Sequence, residues 1–365
     1  MQPALRLVAF FYEAMTDHPH ATVRLPRLTS NPYVRCDRDL RVHPDSQVYW
    51  LNVFRESLRT HFECGGLTDP ERMAAGVAAM ESVLDSILAR EGRFDTIDLD
   101  LARQAGLRAA NLPDAYAELK RVANEAALEA LPEVLHHLDA APGVQRWPLI
   151  FREMLAGNWF DMGTVELVEA WRAAGGDVRH GHQRVPERPW RWDDVEVFAE
   201  AVVLDDSPVV MLLDNAGPDT IFGAFSFARE LLRLGREVRL AANDGPALND
   251  VQVHDLPELI ARATQVDALF GALEKSIVNT GSSMPLLDLS NISAALASAT
   301  EDAGLLVFCG MGRGLESNWS ASFDLPVLRV ASVKNPDVAA LIGANLGDGV
   351  VRFDTPAPST IAHHD

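Results

Sequence analysis

Oxygen-bearing side chains gather at one kind of place in this 365-residue chain, directly after short apolar runs. Asp214 and Asn215 follow Val209-Val210-Met211-Leu212-Leu213. Asn249 and Asp250 lie in the loop after the next apolar run. Asp250 stands 36 positions beyond Asp214 (250 − 214), the length of one strand–helix–strand unit. Two carboxylates and an amide at adjacent strand ends are hard oxygen ligands of the kind Mg²⁺ or Mn²⁺ takes. An isolated Asp-Asn pair is also ordinary turn or helix-cap chemistry. The second acid makes a shared metal ion the sharper reading.

Three further strand ends carry groups suited to an anion. Thr280-Gly281-Ser282-Ser283 can wrap a phosphate with backbone N–H groups and hydroxyls, Ser282 among them, although the composition also fits a plain loop. In Gly310-Met311-Gly312-Arg313-Gly314, Gly310 and Gly312 permit close backbone approach to a ligand. Arg313 there is either a phosphate fork or a surface ion pair. Position 315 is Leu, so the run fails the G-x-G-x-x-G dinucleotide pattern. Cys309 precedes this run and faces either a pocket or the core, and Lys334-Asn335 follow the last of these strands. Upstream, Gly157-Asn158-Trp159-Phe160-Asp161 leads into a helix expected from Thr164, where Asp161 caps the helix or serves chemistry. His180-Gly181-His182 has the look of a metal pair without neighbouring ligands, and a surface loop is expected. Trp190 and Trp192 are expected to cover the core, in a loop from Arg179 to Asp194.

The elements that would position these groups fall into two parts. Residues 1–145 read as mainly helical. Thr68-Asp69-Pro70-Glu71 starts a helix with a cap and an early proline, and Met73, Val77, Met80, Val83, Leu84, Ile87 and Leu88 follow at helical spacing. Asp114 to Leu138 is a second helical run, and an irregular stretch from Asn31 leads into a helix near Trp50. Residues 146–355 read as an α/β domain. Strands at 209–213, 237–242, 277–280, 305–308, 327–333 and 350–353 alternate with helices at 220–234 and 257–273. This pattern implies a layered, Rossmann-like, mostly parallel sheet. Residues 356–365 read as a flexible tail. Ligands of such sheets bind beyond the carboxyl ends of the strands, where the groups above lie.

Composition narrows the partners. The formal charge is −20, from 32 basic and 52 acidic residues, so nucleic acid and anionic membrane are not expected. A local cation still allows an anionic small substrate. Three distant cysteines, Cys36, Cys64 and Cys309, indicate neither a disulfide framework nor a structural zinc site. With no leader pattern and no long apolar run, a cytoplasmic protein is expected.

Taken together, these motifs resemble the metal-dependent damage-control phosphatases, in the branch whose animal members are fused to a pantothenate-kinase-like domain. The resemblance is carried by Leu212-Leu213-Asp214-Asn215-Ala216-Gly217 and Gly245-Pro246-Ala247-Leu248-Asn249-Asp250-Val251. It continues through Thr280-Gly281-Ser282-Ser283 with Asp288-Leu289-Ser290, Gly310-Met311-Gly312-Arg313, and Val333-Lys334-Asn335. It implies a divalent metal (Mn, Co, Ni or Mg) on Asp214, Asn215 and Asp250, with phosphate contacts near Asn158, Arg313 and Lys334. It also implies hydrolysis of a small phosphorylated metabolite, 4′-phosphopantetheine or its oxidised derivatives in that branch. The nucleophile is a metal-bound water or Asp214, and Asp161 is a candidate to steer the water or protonate the leaving oxygen. The branch signature begins with Glu where this chain has Cys309, which bears on the substrate. No kinase-like domain is expected within these residues. Ala216, two positions after Asp214, argues against a haloacid-dehalogenase mechanism. A nucleotide-binding oxidoreductase using the Gly310 loop, or a weakly catalytic sensor of a phosphometabolite, are the alternative readings.

Overall fold

Apolar runs without alternation, such as Val209–Leu212, must be covered on both faces, and that requirement organises the molecule. The computed structural model describes residues 22–160 and 180–356. The strand β1 (Thr22–Val23) is followed by helices α1 (Pro44–Cys64), α2 (Pro70–Ala89), α3 (Thr96–Ala109), α4 (Ala117–Asp139) and α5 (Arg146–Asn158). After the short strand β2 (Trp192–Asp193) and α6 (Val195–Val202) the chain alternates. It runs β3 (Val209–Leu212), α7 (Phe225–Arg233), β4 (Val238–Ala242), α8 (Leu256–Val266), β5 (Ile277–Asn279), β6 (Ile292–Ser293) and α9 (Ala294–Glu301). It then closes with β7 (Leu305–Cys309), β8 (Val327–Ser332), α10 (Pro336–Ile342) and β9 (Gly349–Asp354).

Seven strands form one sheet in the order β2-β9-β8-β7-β3-β4-β5, while β1 and β6 pair separately. Met211 of β3 lies between Leu240 of β4 and Val307 of β7, all parallel. Val209, Met211 and Val307 face a core shared with Phe151, Phe225 and Phe227. Val210, Leu212 and Phe308 face the other side, against Leu296 and Phe323. A third cluster joins Trp50, Phe54, Phe62 and Leu84 of the helical part to Leu315, Ala331 and Val350 of the sheet.

The expected mostly parallel α/β sheet with a helical N-terminal region is found. Asp69 caps α2 through Glu71 N (2.9 Å), with Pro70 in the first turn. Several details differ from expectation. The pair β8–β9 is antiparallel, because α10 has only seven residues and the chain turns back after Gly343 at φ 68°. Trp192-Asp193, expected in a loop, pairs in parallel with Val350-Val351 at the sheet edge. Trp190 of the same stretch packs in the core, as expected. The helix at 220–234 begins as a π-helical stretch, Asp219–Ala224, and the one at 257–273 divides at Asp267 into α8 and a 3₁₀ stretch, Ala268–Lys275. Helix α3 was not anticipated. Its Asp98, Asp100 and Arg103 are buried, so no polar face betrays it, and its capping box pairs Asp95 with Asp98 rather than the usual Ser/Thr with Glu. Asp161 and the helix expected from Thr164 lie outside the described residues. Among the described residues no helix is long and apolar enough to cross a membrane.

Candidate active site

Strands β3 and β4 deliver their following loops side by side, and backbone hydrogen bonds lock the two loops together. Val251 N donates to Asp214 O (2.9 Å) and Ala216 N to Asn249 O (2.8 Å), with a bridge pairing Asn215 and Asp250. The 36-residue spacing therefore does bring the second acid to the first. Arg313, from a π-helical turn after β7 (Gly312–Glu316), reaches between them. Its Nη1 donates to Asp214 Oδ1 at 2.5 Å and its Nη2 to Asp250 Oδ2 at 2.7 Å. Arg313 is 0 % exposed, and its Nε finds no partner among the described residues. It sits behind the carboxylates rather than on the cleft wall, so both of its terminal nitrogens serve the protein.

Asn158, at the end of α5, knits the other side. Its Nδ2 donates to Asp214 Oδ2 (3.1 Å) and to Asp219 Oδ2 (2.9 Å), while its Oδ1 accepts from Ser332 N (3.1 Å). Asn215 Nδ2 repeats the pattern, on Asp214 Oδ2 (3.1 Å) and Asp219 Oδ2 (2.7 Å). Lys334 Nζ donates to Asn158 O (2.8 Å). Asn243 Nδ2 holds Asp250 Oδ2 from behind (3.0 Å). Asp214, Asp219 and Asp250 are thus three buried acids facing two cations, Arg313 and Lys334. Burial, then the neighbouring Asp214, pushes the Asp219 carboxyl up to about 7, against opposing hydrogen bonds from Asn158 and Asn215 and the charge of Lys334.

Glycine is required at the crossing point. Gly310 has φ 87°, and a Cβ there would overlap the Asp214 carboxylate. A Cβ on Gly312 would lie 2.8 Å from Pro285 O. The glycines therefore let the loop after β7 press against the β3 loop and the 280s loop.

A cleft of about 510 Å³ opens above this floor. Asp214, Asn215, Asp250, Gly312 and Lys334 line it at the strand ends, and Trp50, Phe54 and Arg103 line it from the helical part. Asn249 also lines it, and its Oδ1 is buried without a hydrogen-bond partner among the described residues. The carboxylates of Asp214 and Asp250, the Asn215 amide and this orphaned oxygen form a hard-oxygen donor set that could hold a divalent cation. Among the described residues no three His, Cys, Asp or Glu converge on one point, because asparagines supply part of the set.

Two expected site residues lie elsewhere. Ser282 does not line the cleft; its hydroxyl accepts from Met284 N (3.1 Å) and shapes its own loop. Cys309, considered as a pocket residue, is 3 % exposed and packs with Val307 and Val330 in the core. Burial, together with Asp219 and Asp214, pushes its thiol well up. His182 bonds Glu153 Oε2 through Nε2 (2.8 Å). Asn243, which directly follows β4, and Asp219 are further contributors. Asp219 reads as a routine first-turn acid after Pro218, and only its spacing of four from Asn215 marks it.

A family profile, the damage-control phosphatase ARMT1-like domain, matches residues 72–350. A damage-control phosphatase of Arabidopsis thaliana is 31% identical over 352 residues, covering 91% of this chain and 96% of that protein. The 4′-phosphopantetheine phosphatase of Mus musculus is 27% identical over 403 residues, covering 92% of this chain and 49% of that protein. Pantothenate kinase 2 of Arabidopsis thaliana is 32% identical over 352 residues, but the chain spans 39% of its length. Among solved structures, a DUF89 family protein of Pyrococcus horikoshii superposes with a TM-score of 0.65 at 17% identity, over 83% of this chain and 97% of that one.

Proposed function

The chain belongs to the damage-control phosphatase family and is a phosphatase, and we propose that it hydrolyses phosphomonoesters of the 4′-phosphopantetheine class with a divalent metal ion held by Asp214, Asn215 and Asp250. The observation that carries this reading is the meeting of those three residues at the floor of the cleft, with the carboxylates of Asp214 and Asp250 fixed by Arg313, Asn158 and Asn243. The substrate class is supported by the similarity to the mouse phosphopantetheine phosphatase and by a cleft far larger than a phosphate needs.

In this proposal the metal, when bound, supplies Lewis-acid stabilisation of phosphoryl charge. The chain's residues do the positioning. Lys334 brings a positive charge to the cleft wall, where charge on the transferred group must be offset. Gly312 lines the cleft and lets its turn pack against Pro285. Arg313, whose terminal nitrogens are engaged by Asp214 and Asp250, acts as a positioning residue for those carboxylates. Asp219 holds the Asn158 and Asn215 amides in place.

The test is a panel of phosphate esters, including 4′-phosphopantetheine and common sugar phosphates, each with Mg²⁺, Mn²⁺, Co²⁺ or Ni²⁺. Phosphate release with a preference for the pantetheine ester is the expected result. A preference for sugar phosphates would reject the substrate class, and release unaffected by chelation would reject the metal.

A further inference from the structure

The His180-Gly181-His182 motif finds its place beside α5. It belongs to a 3₁₀ turn, His180–Gln183, packed against the end of that helix. Gly181 is required there, since a Cβ would run into Ala156 O. His182 pins the turn to the buried Glu153 of α5, Nε2 to Oε2 at 2.8 Å. Val185 is buried in the core that holds Phe151 and Phe227. Arg184 stands between these two anchors, its N donating to Gly181 O (3.0 Å), and it lines the cleft. We infer, on the strength of the phosphatase reading above, that Arg184 is a substrate-binding residue, a second cation for the phosphoryl group beside Lys334, and that the turn is its mount.

The end of α5 places both cations. Lys334 Nζ donates to Asn158 O (2.8 Å), and Arg184 Cζ lies over the ring of the next residue, Trp159, 5.4 Å from its centroid. Asn158 Nδ2 also donates to Asp214 Oδ2 (3.1 Å), so the ring under Arg184 directly follows a residue of the strand-end floor. Trp159, Arg184, Lys334 and Asp214 all line the one cleft. An aromatic face holds a guanidinium without consuming its N–H donors, and its five donors can serve a protein contact and an oxyanion together.

The charge of the ligand calls for such a group. A phosphate monoester brings a charge of about −1.5 to −2 at pH 7. The floor it meets already holds the carboxylates of Asp214 and Asp250, to which Arg313 is committed. Arg103, from α3, also lines the cleft but is paired with Asp100. Lys334 offers a point charge. A planar guanidinium adds the two-pronged contact that phosphate oxygens accept.

Orthophosphate is the probe, titrated calorimetrically into the Mg²⁺-supplemented protein, so that binding is read without turnover. Wild type is expected to bind it. Arg184→Gln removes the charge and should weaken that affinity by about tenfold or more, the worth of a charged hydrogen bond. Arg184→Lys should lose less, but still lose, because an ammonium cannot make the two-pronged contact. His182→Phe releases the mount; it should weaken affinity by itself and add nothing to Arg184→Gln. The control is Arg152→Gln, which alters a cation of α5 that pairs with Glu187 and does not line the cleft; its affinity should match wild type. Unchanged affinity in Arg184→Gln, or an equal loss in Arg152→Gln, would overturn the assignment. Wild-type affinity in His182→Phe, or a further loss when it is added to Arg184→Gln, would overturn the mount. If thermal melting shows that Arg184→Gln has not folded, Arg184→Lys decides: a loss of affinity supports the assignment and wild-type affinity overturns it. Failure of the phosphatase reading looks different and takes the assignment with it: wild type then binds no orthophosphate and releases none from the ester panel.

Discussion

Replacing Arg313 probes the part of the site where structure and sequence point to different roles. A phosphate fork would stand on the cleft wall, yet Arg313 is fully buried and joins Asp214 Oδ1 to Asp250 Oδ2. Arg313→Met leaves two buried carboxylates facing each other without a cation. Removing one partner of a buried pair costs about 3–5 kcal/mol. Arg313→Lys keeps the charge but offers a point ammonium that cannot span both loops. Loss of one charged hydrogen bond then costs about 1.5–3 kcal/mol. The assay is urea unfolding of the chelator-treated protein, so that no metal masks the effect, paired with calorimetric titration of Mn²⁺. The positioning role predicts that both variants are destabilised in the order Met over Lys, and that Mn²⁺ affinity falls with stability. A phosphate-fork role predicts near wild-type stability and metal affinity with lost activity only. Stability within about 0.5 kcal/mol of wild type in Arg313→Met, the range of neutral surface changes, would refute the reasoning.

Other expectations follow from the same geometry. Gly310→Ala places a Cβ on the Asp214 carboxylate at φ 87°, so backbone strain of about 1–2 kcal/mol and a displaced ligand should appear as lower unfolding free energy and lower Mn²⁺ affinity; unchanged affinity would show that the loop has slack. Cys309→Ser buries a hydroxyl in place of a thiol within the core and should cost about 1–3 kcal/mol in urea titrations without shifting the substrate profile. A shifted profile in the stable variant would return Cys309 to the pocket. Burial favours the protonated form of Glu316, raising its carboxyl from 4.5 to about 7. The stability it contributes is complete below about pH 4.5 and is lost as pH rises through about 7. Glu316→Gln should therefore flatten the fall in stability across that window by an amount on the order of 1–3 kcal/mol. An identical pH profile in the variant would mean that Glu316 ionises as freely folded as unfolded.

What was readable in the sequence follows from what each signal depends on. The parallel sheet was legible because strands covered on both faces must be apolar throughout, as at Val209–Leu212 and Leu305–Cys309. The approach of Asp250 to Asp214 was legible because strand–helix–strand units have a nearly fixed length. Residues whose role depends on a third dimension were not. Whether Arg313 faces a ligand or its own carboxylates is decided by the path of a π-helical turn, which the glycine-rich motif permits but does not specify. Asp219 and Glu316 look like routine acids until burial is known. Helix α3 was hidden because its buried Asp98, Asp100 and Arg103 erase the amphipathic pattern. The antiparallel β9 reflects a helix too short for a crossover, a matter of a few residues in α10.

The central claim is that Asp214, Asn215 and Asp250 hold a divalent ion that hydrolysis of a small phosphate ester requires. Phosphate release from 4′-phosphopantetheine, followed in protein stripped with chelator and then reloaded with Mn²⁺, tests it most directly, with Asp250→Ala measured alongside. The account predicts no release after stripping, recovery on reloading in the wild type, and no recovery in a folded Asp250→Ala. Full release from stripped protein, or recovery in Asp250→Ala equal to wild type, would contradict it.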